Sequence, residues 1–159
     1  MKHLPKHLRP KRRYLAVGIE STPEASFGRG DFQRELWYAA QNLVGDVGSA
    51  DADLTVIQFH FEDGTGEAIV RARHGHTETA RASLACIASI NGADCGLHVR
   101  GISGTIRGCE EKYLGRPSEG PRQRTVAFEH DDRAAIERDS VLDVRVNGEY
   151  IGATNLDFQ

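Results

Sequence analysis

The chain has 159 residues, 20 Lys+Arg against 23 Asp+Glu, a formal net charge of −3 and 39% hydrophobic residues. That length suits one domain of ordinary size, and no apolar run approaches the ~20 residues that a bilayer helix needs. Cys86, Cys95 and Cys109 are odd in number and never form Cys-x-x-Cys, so reduced thiols are expected rather than a disulfide framework or a four-ligand zinc site.

Residues 1–13 read as a basic arm, with Lys2, Lys6, Arg9, Lys11, Arg12 and Arg13 and no acid. No apolar segment of a signal peptide accompanies this charge, which makes a cytoplasmic location the expectation. From Tyr14 to Glu20 the pattern alternates, with Leu15, Val17 and Ile19 on one face of a half-buried strand and Tyr14, Ala16 and Gly18 on the other. Asp31 is placed to cap a helix carrying Phe32, Leu36, Ala39, Ala40, Leu43 and Val44, which Gly45 or Gly48 ends. Leu54 to His60 predicts a second strand, with Ile57, Phe59 and Phe61 on one face and Gln58 and His60 on the other. Asp63-Gly64-Thr65-Gly66 is a turn signal. A third strand follows over Glu67 to Arg73, with Ala68, Val70 and Ala72 inward and Ile69, Arg71 and Arg73 outward. Thr77 can cap a second helix whose buried stripe is Ala80, Leu84, Ile87 and Ile90, before Gly92. A fourth strand is expected around Leu97 to Ile102. Ser103 or Thr105 then opens a third helix with Ile106, Cys109 and Tyr113, which stops at Gly115.

The order β-α-β-β-α-β predicts an α/β sandwich of the ferredoxin-like kind: an antiparallel sheet over residues 14–115, covered by two helices on one side, with an added third helix. Residues 116–125 read as a basic linker. Residues 126–159, with three basic and eight acidic groups, read as an acidic C-terminal extension with a type I′ hairpin at Asn147-Gly148.

The net charge conceals a segregation, because removing the arm leaves 14 basic and 23 acidic residues, a balance of −9. The arm has the composition of an RNA contact and also of a disordered tail. A ferredoxin-like sheet invites comparison with the RNA recognition motif, but the stacking platform is absent, Tyr14 being the one aromatic and at a strand end. The small residues Ala16 and Gly18 suit a packed element instead, either the third helix or another chain. Arg71 and Arg73, beside Gln58 and His60, form either a phosphate-contacting patch or a solvated face. No nucleophile with its base is found. Glu110 and Glu111 point in different directions, Gly101 to Gly108 lacks a Walker lysine, and the surroundings of His74 and His76 complete no ligand set. Neither catalytic nor metal-binding residues are expected.

Arg12-Arg13-Tyr14-Leu15, behind the basic arm, and Val99-Arg100-Gly101-Ile102-Ser103-Gly104-Thr105-Ile106-Arg107 carry a resemblance. With the element order, these segments are similar to the protein component 2 family of ribonuclease P, the small Pop-type subunits of archaea and eukaryotes, over roughly residues 10–115. Four lysines against sixteen arginines and an acidic body suit a haloarchaeal, halophilic version, although a GC-rich genome gives the same arginine bias. The resemblance implies a subunit of a ribonucleoprotein endonuclease that removes 5′ leaders from precursor tRNA. It implies that the RNA, with Mg²⁺, performs the hydrolysis and that the chain itself binds no cofactor. The implied partners are ribonuclease P RNA, protein component 3 in a two-plus-two assembly, other ribonuclease P proteins and precursor tRNA, with no membrane.

By position, the family's RNA-facing charge falls on the basic residues of the arm and on Arg100, Arg107 and Lys112. Ser103, Gly104 and Thr105 either cap the third helix or present its free amides to a phosphate. With Tyr14, Arg71 and Arg73 these make the candidate RNA-binding set. The acidic extension is not needed by the family core, and one expectation is that it holds the arm when no RNA is bound. Two other classes of function remain: a ferredoxin-like regulatory or oligomerisation module binding a small molecule or protein, and a metal-dependent nuclease acting alone.

Overall fold

The computed structural model describes residues 4–115, 122–138 and 141–158. Strand β1 (Arg12–Ser21) lies in the middle of a five-stranded antiparallel sheet. It pairs on one side with β3 (Thr65–Arg73), which pairs in turn with the edge strand β2 (Thr55–Glu62). On the other side it pairs with β5 (Ala93–Ser103), whose beginning is met by the two-residue β4 (Ser89–Ile90). The order β2-β3-β1-β5-β4 is the ferredoxin-like split βαβ sheet with β4 as a short addition.

Alternation along the strands divides the core in two. Leu15, Val17 and Ile19 of β1 and Ala68, Val70 and Ala72 of β3 face α1 (Arg29–Ala52) and α2 (Thr77–Ala85), where they meet Phe32, Leu36, Ala40, Ala80 and Leu84. The other face of β1 and β3 presents Ala16 and Ile69 to α3 (Ile106–Tyr113), which closes over them with Cys109, Ile106 and Tyr113. Glycine permits close approach on this side. The Tyr113 ring occupies the space where a Cβ on Gly101 would stand, and the His98 ring does the same over Gly18. The small outer face of the first strand thus takes the third helix. No helix among the described residues is long and apolar enough to cross a membrane.

Several sequence expectations are corrected by the packing. The arm is shorter than residues 1–13, because Arg12 and Arg13 already belong to β1 and Lys6–Leu8 forms a single 3-10 turn. Asp31 is not the N-cap of α1. Gly28 is, and the Asp31 carboxylate accepts the Gly28 N–H at 2.9 Å from inside the first turn. The helix also passes through Gly45, whose φ of 74° kinks it, and continues to Ala52, leaving Leu43 and Val44 at the surface. Helix α2 ends at Ala85, short of Ile87 and Ile90. Both are buried, but Ile90 lies in β4 and turns back through Asn91-Gly92 into β5. In β2 the register shifts between Val56 and Gln58, so Ile57 faces α3 while Phe59 and Phe61 face α1. Gln33, which reads as an ordinary polar helix position, is buried: its side chain donates to the Leu54 carbonyl at 3.2 Å and accepts the Val56 N–H at 2.7 Å. Trp37 donates to the same carbonyl at 2.9 Å, so α1 is bonded to the edge strand.

Residues 122–125 belong to a strand rather than to the linker, and the extension holds more than one hairpin. Strands β6 (Arg122–Phe128), β7 (Asp131–Arg138), β8 (Val141–Val146) and β9 (Glu149–Thr154) form an antiparallel meander. Its own small core is Val126, Ala135, Leu142, Val144 and Ala153, with Phe158 of the final 3-10 turn against Phe128. Strands β8 and β9 join at Asn147-Gly148, both with positive φ. The meander meets the larger sheet at the far end of β1. There Arg138 bonds the Ser21 carbonyl and Asp143, and Gln123 bonds Glu24 at 3.3 Å.

The three cysteines are free thiols. Burial, then Asp94 and Glu35, pushes the Cys95 thiol from its ordinary 9.0 up to about 11. The folded chain therefore holds this proton more tightly than the unfolded chain does. That stabilisation is present below pH 9 and is lost as the pH rises toward 11. Urea midpoints of the wild type and Cys95→Ala, compared from pH 8 to 11, should show the wild type losing ground between pH 9 and 11; a constant difference would contradict this account.

Candidate nucleic-acid interface

The register of β1 decides which basic residues meet. Arg12 stands directly opposite Arg73, and Tyr14 stands between Arg71 of β3 and Ser103 of β5. Thr55 lies on the other side of Arg71. Ser103 leads through Gly104 into α3, and the Arg13 guanidinium lies within 2.8 Å of where a Cβ on Gly104 would stand. Lys11 is joined to the same end, its carbonyl accepting the His74 N–H at 2.9 Å. Lys11, Arg12, Arg13, Arg71, Arg73 and the Ser103-Gly104-Thr105 turn therefore gather at one end of the sheet, where Asp53 meets Arg12 in an ion pair.

Like charges placed directly across two strands oppose pairing by about 0.2–1 kcal/mol, and this end holds such a pair in Arg12 and Arg73. Arg71 reaches the Thr55 hydroxyl at 3.5 Å, a long contact. The Nε atoms of Arg71 and Arg73 are buried and donate to nothing among the described residues. A buried donor without a partner costs about 1–3 kcal/mol, more when charged.

Thr105 is the N-cap of α3, its hydroxyl accepting the Gly108 N–H at 3.0 Å, while Ser103 Oγ accepts the Thr105 N–H at 3.3 Å. On the sheet side, the Cys109 thiol donates to the Tyr14 carbonyl at 3.1 Å, and burial raises its pKa. Tyr14 itself is packed into the α3 cluster.

The remaining candidates lie apart from this cluster. Arg100 is the extra residue where the β1–β5 register shifts, and it turns toward α3 to bond Glu67 and the Tyr113 carbonyl. Arg107 is largely exposed and pairs with Glu111 one turn on, at 2.6 Å. Lys112 is exposed in the last turn of the same helix. Lys6 and Arg9 belong to the exposed N-terminal segment, where Arg9 donates to the Leu4 carbonyl at 2.7 Å; Lys2 lies outside the described residues. Gln58 and His60 do not flank Arg71 and Arg73. They pair with Ile69 and Glu67 farther along the hairpin, and Gln58 donates to Glu110 at 2.6 Å. The described part of the arm leads into the start of β1, whereas the meander contacts its far end, and ten residues of strand span about 30 Å. The expectation that the extension holds the arm finds no support in that placement.

A ferredoxin-like sheet with a helix on its open face and a basic end defines the structural class. Residues 13–114 match the Rpp14/Pop5 family model, and the chain belongs to that family. A protein of Haloarcula marismortui named ribonuclease P protein component 2 is 60% identical over 161 residues, which span all of both chains. One of the same name from Methanosarcina mazei is 42% identical over 114 residues, covering 72% of this chain and 93% of its own. A chain in a cryo-EM structure of yeast ribonuclease MRP aligns with a TM-score of 0.47 at 18% identity, over 64% of this chain and 80% of that one.

Removing the Thr105 hydroxyl should loosen the start of α3. Thr105→Ala is expected to lower stability by about 1 kcal/mol in urea unfolding, and Thr105→Ser to restore most of it; an unchanged midpoint for Thr105→Ala would deny the cap its role.

Proposed function

We propose that this chain is a protein subunit of ribonuclease P, assisting the catalytic RNA in the endonucleolytic removal of 5′ leaders from precursor tRNA. The observation that carries the reading is a concentration of Arg and Lys at one end of the sheet in a chain of the Rpp14/Pop5 family. Cations gathered on a rigid sheet suit the phosphate backbone of a folded RNA, which contributes most of the affinity in such contacts and none of the sequence readout. Lys6, Arg9 and Lys11 precede β1 at the same end and add positive charge, as does Lys2 in the sequence. In this reading the RNA, with its Mg²⁺, supplies the chemistry, and the protein holds the RNA in the shape that cleaves.

A protein partner belongs to the same proposal. The second half of α1 exposes Leu43, Val44 and Val47 on either side of the Gly45 kink, with Trp37 and Tyr38 half exposed before it. Clustered exposed apolar side chains favour a protein contact, here assigned to protein component 3 in a two-plus-two assembly. The acidic end of β1, with Glu20, Glu24 and Asp94, would then point away from the RNA.

Reconstitution tests the reading. With the cognate RNA and partner proteins, addition of the purified chain at native salt should raise the rate of 5′ leader removal from a precursor tRNA. No increase would overturn the assignment. Deletion of residues 1–11 removes four positive charges and leaves β1 whole. For single-stranded RNA, the log–log dependence of affinity on salt should flatten by about 3; an unchanged slope would remove the arm from the electrostatic contact.

A further inference from the structure

Three arginines share the face of the sheet beside the start of α3. Arg12 and Arg73 are directly opposite each other, and Arg71 follows two residues along β3 on the same face, next to Tyr14 and Thr55. Among the described residues, one carboxylate, Asp53, meets this group and takes Arg12. Arg71 and Arg73 keep buried Nε–H groups that donate to nothing among the described residues. The packing is thus finished on the α3 side, where Ala16, Ile69 and Cys109 close against one another, and unfinished at the arginines.

A ligand that completes this end must be an acceptor and must carry negative charge. It must also repeat at the spacing of alternate strand residues, about 7 Å. Successive phosphodiesters of a nucleic-acid strand meet all three conditions. Asp53 and Arg12 form a half-exposed pair, with side chains 38% and 23% accessible, and such pairs are weak and exchangeable.

We propose that Arg71 and Arg73 bind two successive phosphates of one RNA strand. On binding, Arg12 leaves Asp53 to join them, so Asp53 restrains the site in the absence of RNA. The inference rests on the RNA-binding reading above and names where on the sheet the backbone lies. It differs from a purely structural role for these residues in one respect: loss of Asp53 strengthens binding, although it breaks an ion pair of the free protein.

Fluorescence anisotropy of the full chain with a labelled 15-nucleotide oligouridylate, across a salt series, tests this. Arg71→Gln and Arg73→Gln should each weaken binding several-fold and flatten the log–log salt slope by about 0.7. Asp53→Asn should tighten binding and steepen the slope. Arg34→Gln, a change on exposed α1 where Arg34 pairs with Asp31, should change neither. Circular dichroism checks that each variant is folded, and ¹⁵N-edited NMR of the wild type should show the Arg71 and Arg73 Nε–H signals shifting as the oligonucleotide is added. Wild-type affinity and slope in the folded Arg71→Gln/Arg73→Gln double variant, or weaker binding by Asp53→Asn, would overturn the site. If the wild type stimulates processing while the double variant binds RNA equally well, this site alone falls; if the wild type neither binds RNA nor stimulates processing, the parent reading falls with it.

Discussion

The larger sheet and its three helices are built on a central strand that is buried on both faces. Leu15, Val17 and Ile19 pack against α1 and α2 on one side of β1, and Ala16 and Gly18 leave room on the other for α3 and the His98 ring. A strand of this kind has no face left for solvent or ligand along its middle, so recognition is displaced to its ends. The same crowding explains the irregularity in β5. Where Ala16 passes Gly101, one extra residue is accommodated, and the resulting bend aims both Arg100 and the Gly101 surface at α3. Arg100 thereby becomes a clasp on the third helix, through Glu67 and the Tyr113 carbonyl, and its charge is largely used inside the protein.

The two ends of β1 differ in chemistry. At its start, arginines from two strands crowd together and the chain emerges as a basic arm. At its finish, Ser21 meets Arg138 of the meander in acidic surroundings that include Glu20 and Asp94. The separation places the added meander well away from the residues that suit RNA.

Much of the fold was legible because alternation and turn chemistry are local. Leu15, Val17 and Ile19, and Ala68, Val70 and Ala72, declare their faces by period two, and Asp63-Gly64 and Asn147-Gly148 declare their turns through glycine at positive φ. The β6–β7 turn was not legible, since Glu129 and His130 adopt positive φ without any glycine to announce it. Ile87 and Ile90 fall at helical spacing, yet Ile90 is held in a strand by its pairing with Ala93, a tertiary fact. At the candidate interface the residue types were readable and their company was not. Arg71 and Arg73 were visible as outward charges, but the neighbour of Arg73 is set by register with a strand more than fifty residues away. The hairpin alone pointed to Gln58 and His60, whereas β1 brings Arg12. Asp53 and Gln33 carried no signal, because a left-handed helix-ending residue and a buried amide both look like ordinary surface positions.

The place of β1 also sets the order in which the molecule can be made. Among the described strands it is the earliest in the chain, but its two neighbours are Thr65–Arg73 and Ala93–Ser103. At about 5–20 residues per second, the second of them follows on the order of ten seconds later. Until then a strand apolar along much of its length has no closed sheet to enter, and contacts so distant in sequence form slowly. The nascent chain therefore passes through a stage in which its most buried segment is its most exposed, and the emergence of β5 and then of α3 brings that stage to an end.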